Sequence, residues 1–222
     1  MSGTAGASNE KSEQMYSYVI EFNLAQRGEE AQEFLAEAAR TWPKVWGDIP
    51  GVTGVLLLSS AFALGGDYDY QLRVDLESLS TLARVDEALK SDSDQAWVRA
   101  RTEWFRSRIA ARAHLSEHVA GDESYAHARH SEAGGVHLVL HGGIGESGRA
   151  TERIASANSI SGLVSAQTLR SVVGTAAPRE HTWLRLQSLE HLDGVADAGL
   201  DVTHGHLLGE LREVDGALFS GA

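Results

Sequence analysis

Four histidines and one arginine in the C-terminal half have types and spacings that suit proton-transfer chemistry. They are His137, His141, His204, His206 and Arg185, in segments where apolar and polar residues alternate. A histidine that titrates near neutral pH is a natural general base, and an arginine beside it can stabilise the anion that forms. Trp183, two residues before the arginine, offers a flat face for stacking an aromatic ligand.

These residues can act together only if neighbouring strands place them on one face of a sheet. The sequence predicts strands and helices in the order β-α-β-β-α-β, at Gly135–His141, Ser147–Ala157, Gly162–Val173, His181–Ser188, Leu189–Ala198 and Val202–Leu211. In a unit of this order the first and last strands are neighbours, and the third strand lies on the other side of the first. The four histidines are therefore predicted to line one wall, with Arg185 next to them.

The N-terminal half predicts the same order of elements with one extra helix. They are Tyr16–Leu24, Gly28–Trp42, Val52–Phe62, Tyr68–Leu76, Glu77–Lys90, Ser91–Arg106 and Arg108–Val119. Pro43 is expected to end the first helix. The stretch YDYQLRVDLESL at Tyr68–Leu79 returns as HTWLRLQSLEHL at His181–Leu192, which indicates a duplication. The predicted fold class is α+β, with tandem duplicated ferredoxin-like repeats.

The composition of the chain predicts five segments. Residues 1–14 are a polar, disordered tail, 15–119 the first repeat, 120–133 a linker, 134–211 the second repeat and 212–222 a C-terminal tail. Helices cover one face of a ferredoxin-like sheet, so the polar alternating residues are expected on the other face. The predicted substrate-contacting residues on that face are Gln71, Arg73, Arg112, His114, Trp183 and Gln187, with Glu21, Asn23, Asp75 and His118 beside them.

The tandem element order and the LR(V/L)…LE(S/H)L echo resemble the dimeric α+β barrel superfamily, in which two ferredoxin-like sheets wrap around a common cavity. Within it the chain is similar to antibiotic-biosynthesis monooxygenase-like proteins, including the tandem oxygenases that open rings of aromatic polyketides. The resemblance implies a homodimer that oxidises an electron-rich polycyclic phenol in an α+β barrel. It implies either no cofactor or a reduced flavin (FMN or FAD). His137, His141, His204 and His206 would be the base candidates, and Arg185 and Arg73 the anion stabilisers.

Other functions fit the same sequence. The chlorite dismutase-like branch of the superfamily binds haem through a histidine of its C-terminal half, and His204-Gly205-His206 could supply that ligand. A polyketide cyclase or a small-molecule binding protein could use the same cavity. The spacings of the histidine pairs match no strong metal signature, so no metal site is predicted. Arg73 and Arg185 could instead pair with carboxylates across the sheet.

Charge and composition exclude several classes of partner. The net charge of −12 would repel a phosphate backbone, so nucleic acid is not expected as a partner. The chain has no cysteine, which excludes disulfides and thiolate chemistry. No apolar run is long enough to span a membrane and the N-terminus lacks a signal-peptide core, so a cytoplasmic location is expected.

Overall fold

The computed structural model describes residues 14–126, 135–142, 148–174, 179–202, 204–214 and 217–220. The strands are β1 (Tyr16–Leu24), β2 (Val52–Ser60), β3 (Tyr70–Leu76), β4 (Arg108–Gly121), β5 (Val136–His141), β6 (Leu163–Val173), β7 (Glu180–Leu186), β8 (Gly205–Val214) and β9 (Ala217–Ser220). The helices are α1 (Glu29–Gly47), α2 (Thr81–Lys90), α3 (Gln95–Ser107), α4 (Ala150–Ala157) and α5 (Asp193–Asp197), with a 3₁₀ turn at Leu189–His191.

Eight of the described strands form a closed antiparallel barrel in the order β2-β3-β1-β4-β6-β7-β5-β8, and β8 pairs with β2 to close it. The first four strands in this order come from the first repeat and the next four from the second, in the same internal order. The last strand of each repeat pairs with the second strand of the other. The predicted fold, two ferredoxin-like repeats in an α+β barrel, is confirmed.

Alternation along the strands separates the outside of the barrel from its inside. In β1, Ile20 and Phe22 face the helices, whereas Val19 and Glu21 face the interior. The outward apolar residues pack under α1 to α3 in the first repeat and under α4 and α5 in the second. A third apolar cluster, which includes Val139 and Trp183, lies inside the barrel. Burial of these side chains holds both repeats on one shared sheet.

The two ends of the barrel differ. At the closed end, β4 ends at Gly121 and β5 begins at Val136. The chain that follows β4 turns into the barrel there, and its Tyr125 is fully buried. The open end is the opposite one, where β5 ends and β7 begins. The sequence predicts a linker at 120–133, of which 127–133 lies outside the described residues. In the structure, residues 122–126 close one end of the barrel interior.

Some boundaries differ from the sequence-based expectation. Helix α1 continues through Pro43 to Gly47. The hydrogen bond that Pro43 cannot donate is offset by the burial of Trp46, which packs edge-on against Trp97 at 5.3 Å between ring centroids. In the predicted C-terminal tail, β8 extends to Val214 and β9 pairs with it. Among the described residues, no helix has the length and apolar content needed to cross a membrane.

Candidate active site at the open end of the barrel

A cavity of about 420 Å³ occupies the open end of the barrel. Val19, Val139 and Trp183 form its apolar wall. The polar lining consists of Glu21, Gln71, Arg112, His114, His141, Arg179, His181 and His206, with Gly174 at the edge. A cavity with one aromatic wall and several converging polar groups is the usual form of a small-molecule site.

Four imidazole rings meet in this cavity, those of His114, His141, His181 and His206. The ring of His141 lies edge-on to its neighbours, with its centroid 4.9 Å from that of His181 and 4.4 Å from that of His206. The ring of His114 lies 5.8 Å from that of His181. The strand register explains the meeting, because His141 is directly opposite His181 in the β5–β7 pair.

Two of these histidines form a hydrogen-bonded relay with a serine. Nδ1 of His141 lies 2.7 Å from Nδ1 of His181, and Nε2 of His181 lies 3.0 Å from Oγ of Ser171. One of the two Nδ1 atoms must carry a proton for this bond to form. Nε2 of His141 has no hydrogen-bond partner among the described residues. The relay therefore ends in a buried nitrogen whose hydrogen-bonding capacity is unused.

The relay histidines are neutral at pH 7. Burial lowers the pKa of His141 to about 4, and the neighbouring His206 and Arg179 add to the effect. Burial also lowers the pKa of His181 to about 3, with the neighbouring His141 adding to the effect. The pKa values of His114 and His206 are lowered as well, chiefly by burial. A neutral imidazole can accept a proton, so the cluster can act as a base.

A carboxylate and a guanidinium form the polar rim of the cavity. Oε2 of Glu21 accepts from Nε of Arg112 at 2.7 Å and lies 2.6 Å from its Nη2. Gln71 donates to the other oxygen of Glu21 at 3.3 Å. Arg112 also stacks over the ring of Tyr68, with its guanidinium carbon 5.2 Å from the ring centroid. The negative charge of Glu21 is thereby balanced by the positive charge of Arg112. The exposed Arg179 adds a positive charge to the rim.

The turn between β2 and β3 positions His206. Gly66 has a φ of +79°, and a Cβ at this position would lie 2.6 Å from Nε2 of His206. Only glycine allows both this backbone conformation and the close approach of the ring. Nε2 of His206 is thus packed against protein, whereas the ring's other side faces His141.

The two arginines of the duplicated stretch lie at the closed end and pair with carboxylates, as the alternative interpretation of the sequence proposed. Arg73 forms two hydrogen bonds with Asp75, at 2.8 and 3.0 Å, and a third with Gln167. Arg185 donates to Glu210 at 3.0 Å. Arg73 and Arg185 are 0% and 1% exposed, so neither can reach a ligand in the open cavity.

His137 belongs to the same closed-end network. It is fully buried, and its Nδ1 lies 2.8 Å from the hydroxyl of Tyr125, while its Nε2 lies 3.7 Å from Glu210. Burial lowers the pKa of His137, with Glu210 opposing the effect. Arg73 lies between two aromatic rings, 4.7 Å from the centroids of both Tyr125 and Trp183. Trp183 therefore separates the closed end from the open cavity.

Two further predicted residues, His204 and Gln187, lie outside the cavity, and His181, which was not predicted, lies in it. The side chains of His204 and Gln187 are exposed, because both residues lie beyond the ends of their strands, β8 and β7. His181 was not among the predicted site residues, although it has the same parity along β7 as Trp183 and Arg185. This alternation could have identified His181 as a residue of the inner face. His118 is half-buried on β4, toward the closed end.

The positions of the cavity histidines bear on whether they could hold a metal ion or a haem. Among the described residues, no group of three or more His, Asp or Glu side chains is arranged to hold a metal ion. The ring of His141 is bracketed by two other imidazoles, and Nε2 of His206 is packed against the Gly66 turn. Nε2 of His206 has no space for a macrocycle and Nε2 of His141 is buried, so this arrangement does not favour a haem ligand.

Solved structures resemble this chain over almost its whole length. An anthrone oxidase-like protein matches with a TM-score of 0.54 and 9% identity, over 96% of this chain and 95% of its own. A candidate chlorite dismutase matches with a TM-score of 0.54 and 13% identity, over 91% of this chain and 96% of its own. A candidate monooxygenase from Lactobacillus acidophilus NCFM matches with a TM-score of 0.52 and 10% identity, over 94% of this chain and 99% of its own.

The chain shares the ferredoxin-like α+β barrel fold of these proteins. No family model matches the sequence, and no curated protein matches it. At identities of 9 to 13%, the structural similarity shows the shared fold alone. The function of this chain therefore depends on the residues that line the open cavity.

Proposed function

We propose that this protein is an oxygenase that oxidises an electron-rich phenolic aromatic molecule, of the polyketide type, in the open cavity. The observation that carries the proposal is the Ser171–His181–His141 relay, in which Nε2 of His141 is buried without a partner among the described residues, in a cavity that Trp183 also lines. The structural neighbours named as oxidase-like and as candidate monooxygenases support the same class of reaction.

The size and lining of the cavity support one aromatic substrate. A volume of about 420 Å³ lies toward the lower end of the roughly 300–1,000 Å³ usual for ligand sites. Trp183 offers the stacking surface, and Val19 and Val139 complete the apolar wall. Arg179 at the rim, whose charge is additional to the Glu21–Arg112 ion pair, favours a substrate that is or becomes anionic.

The relay supplies the proton acceptor. When His141 carries its proton on Nδ1 and donates it to His181, Nε2 of His141 is unprotonated, and Nε2–H of His181 donates to Ser171. A substrate hydroxyl can then give its proton to Nε2 of His141. The substrate anion formed beside it raises the pKa of the protonated imidazole, so the two charges stabilise each other.

Deprotonation makes the aromatic ring a reductant for molecular oxygen. For a phenol with a ring CH₂ group in the anthrone arrangement, the overall change is CH₂ + O₂ → C=O + H₂O. The substrate supplies all the electrons, one oxygen atom enters the product and the other leaves as water. No external reductant is required, and the protonated imidazole returns its proton to the departing water and becomes neutral again.

The room in the cavity favours the cofactor-free form of this reaction. About 420 Å³ accommodates a single polycyclic molecule more readily than a substrate together with a three-ring isoalloxazine. Reduced flavin remains the alternative source of electrons. A haem protein is the second candidate function, because structures named as chlorite dismutases share the fold. The cavity histidines described here do not favour it, and an absorption spectrum of the purified protein tests it by its Soret band.

Oxygen uptake with an anthrone or a polycyclic phenol tests the proposal. We expect uptake by the protein alone, one O₂ per product, without stimulation by reduced FMN or FAD. His141→Ala and His181→Ala should each lower kcat by about 10²–10⁴, the usual contribution of a general base. His204→Ala is the matched control, since this histidine is exposed outside the cavity and its loss should leave the rate unchanged.

Each contrary result indicates a different function. Product formed without oxygen consumption would identify a cyclase, and saturable binding without product would identify a binding protein. A Soret band or uptake that depends on flavin would replace the cofactor-free reaction. Equal rates in the His141→Ala and His204→Ala variants would remove the relay from the mechanism.

A further inference from the structure

A second cavity lies outside the barrel, between the sheet and the helices of the first repeat. Its volume is about 150 Å³, and its walls come from α1, α2, α3 and the outer faces of β1 and β3. Four of the five tryptophans of the chain line it, Trp42, Trp46, Trp97 and Trp104. Ile20 and Leu72 form its floor and point away from the barrel interior, so it is separate from the open cavity.

The tryptophans frame this cavity rather than fill it. Trp42 meets Trp104 edge-on with centroids 5.1 Å apart, and Trp46 meets Trp97 in the same way at 5.3 Å. Protein interiors are normally close-packed, and the lining of a void loses contacts that an occupant would restore. An apolar cavity of about this volume is known to take up a single benzene ring. The tryptophan cavity therefore suits one aromatic ring.

The rim of the tryptophan cavity carries a positive charge without a carboxylate partner. The guanidinium carbon of Arg108 lies 5.0 Å from the ring centroid of Trp104 and 4.7 Å from that of Phe105. No carboxylate among the described residues forms an ion pair with Arg108. Arg101, on the same rim, is by contrast bonded to Asp92 at 2.8 Å. The charge of Arg108 is thus available to an anion at the mouth.

The remaining polar group at this site is Tyr18. Burial raises the pKa of its phenol, although Arg108 acts in the opposite direction. The hydroxyl therefore stays protonated at neutral pH and can donate a hydrogen bond. A ligand with an aromatic ring and an adjacent anionic oxygen matches both features, because its ring meets the apolar walls and its charge meets Arg108.

We infer that the tryptophan cavity is a second ligand site that binds a small aromatic carboxylate of the size of benzoate. The ring occupies the volume framed by Trp42, Trp46, Trp97 and Trp104, and the carboxylate pairs with Arg108. The site needs no part of the relay in the barrel. Binding here is therefore independent of the proposed oxygenase reaction.

Tryptophan fluorescence offers a direct test. Trp183→Phe removes the one tryptophan outside the cavity, so the remaining signal comes from its four walls. Benzoate should quench this fluorescence saturably, and calorimetry should give the same Kd. Toluene, which has the same shape without the charge, should bind more weakly in the same protein.

Two variants locate the site. Arg108→Gln should weaken benzoate binding about tenfold or more, as expected for the loss of a charge-assisted bond, and should leave toluene binding unchanged. Ala100→Phe places a ring in the cavity and should abolish binding of both probes. Absence of saturable binding, or benzoate binding that is unchanged in Arg108→Gln, overturns the inference. That second criterion still applies if Ala100→Phe does not fold.

Discussion

The closed and open ends of the barrel interior both contain histidine and arginine side chains, but these side chains differ in their partners and surroundings. At the closed end, Arg73, Arg185 and His137 are fully buried and are bonded to Asp75, Glu210 and Tyr125. At the open end, His141 and His181 form a relay with a ring nitrogen that no described residue satisfies. Nη1 of Arg73 and Nε2 of His137 also lack a partner among the described residues, so the two ends differ in access: the relay histidines line the open cavity, whereas Arg73, Arg185 and His137 do not.

The largest expected effect belongs to the closed end. Arg185→Met removes the guanidinium and leaves the carboxylate of Glu210 buried without it, which should lower the free energy of unfolding by about 3–5 kcal/mol. Urea denaturation measures the change. Arg185→Met/Glu210→Leu should recover most of the loss, because both charges are then absent. A stable Arg185→Met protein without turnover would contradict this assignment, because it would show that the arginine takes part in the reaction.

A smaller effect is expected from the residue that closes the barrel. Tyr125→Phe keeps the ring against Arg73 and Trp183 but removes the hydroxyl bonded to His137. Leaving the buried imidazole nitrogen unsatisfied should cost about 1–3 kcal/mol of unfolding free energy. Oxygen uptake should be unchanged if the closed end is structural. A loss of kcat without a loss of stability would show that Tyr125 takes part in the reaction.

The third prediction concerns the pH dependence of stability at the open end. The pKa values of His141 and His181 are lowered to about 4 and about 3, below the ordinary value of about 6.5 in the unfolded chain. The unfolded state therefore binds more protons between these values. Stability from these groups is complete above pH 6.5 and is lost as the pH falls toward 4 and below.

Urea midpoints measured between pH 4 and pH 7.5 check this dependence. The slope below pH 6.5 should become shallower in His141→Phe and His181→Phe, and should be unchanged in His204→Phe, whose ring is exposed. Other buried histidines keep part of the slope, because burial also lowers the pKa of His114, His137 and His206. Equal slopes in all variants would show that the relay histidines titrate normally.

Sequence periodicity predicted much of the interior correctly. Alternation assigned Glu21, Gln71, Arg73, His114 and His141 to the face that lines the barrel. It failed at strand ends, where His204 and Gln187 lie past the last paired residues and turn to solvent. The backbones of both residues still hydrogen-bond to the neighbouring segment, so they are exposed because no other described element covers them at the strand ends.

Contacts between segments far apart in sequence could not be predicted in this way. Tyr125 stands in a polar stretch that suggests a linker, and only the closed barrel supplies Trp183 and His137 as its partners. The pairing of Arg185 with Glu210 also joins strands that are not neighbours in the sheet. Helix α1 continues past Pro43 because tertiary packing of Trp46 offsets a local preference.

The sequence by itself determined the duplicated βαββαβ order, the α+β class and the polar inner face, because each follows from local periodicity and from the repeated LR(V/L)…LE(S/H)L stretch. Only the tertiary structure decided which polar residues of that face meet. Closure through the β4–β6 and β2–β8 pairs sets the register between the repeats. That register separates the buried arginines at one end from the histidine relay at the other.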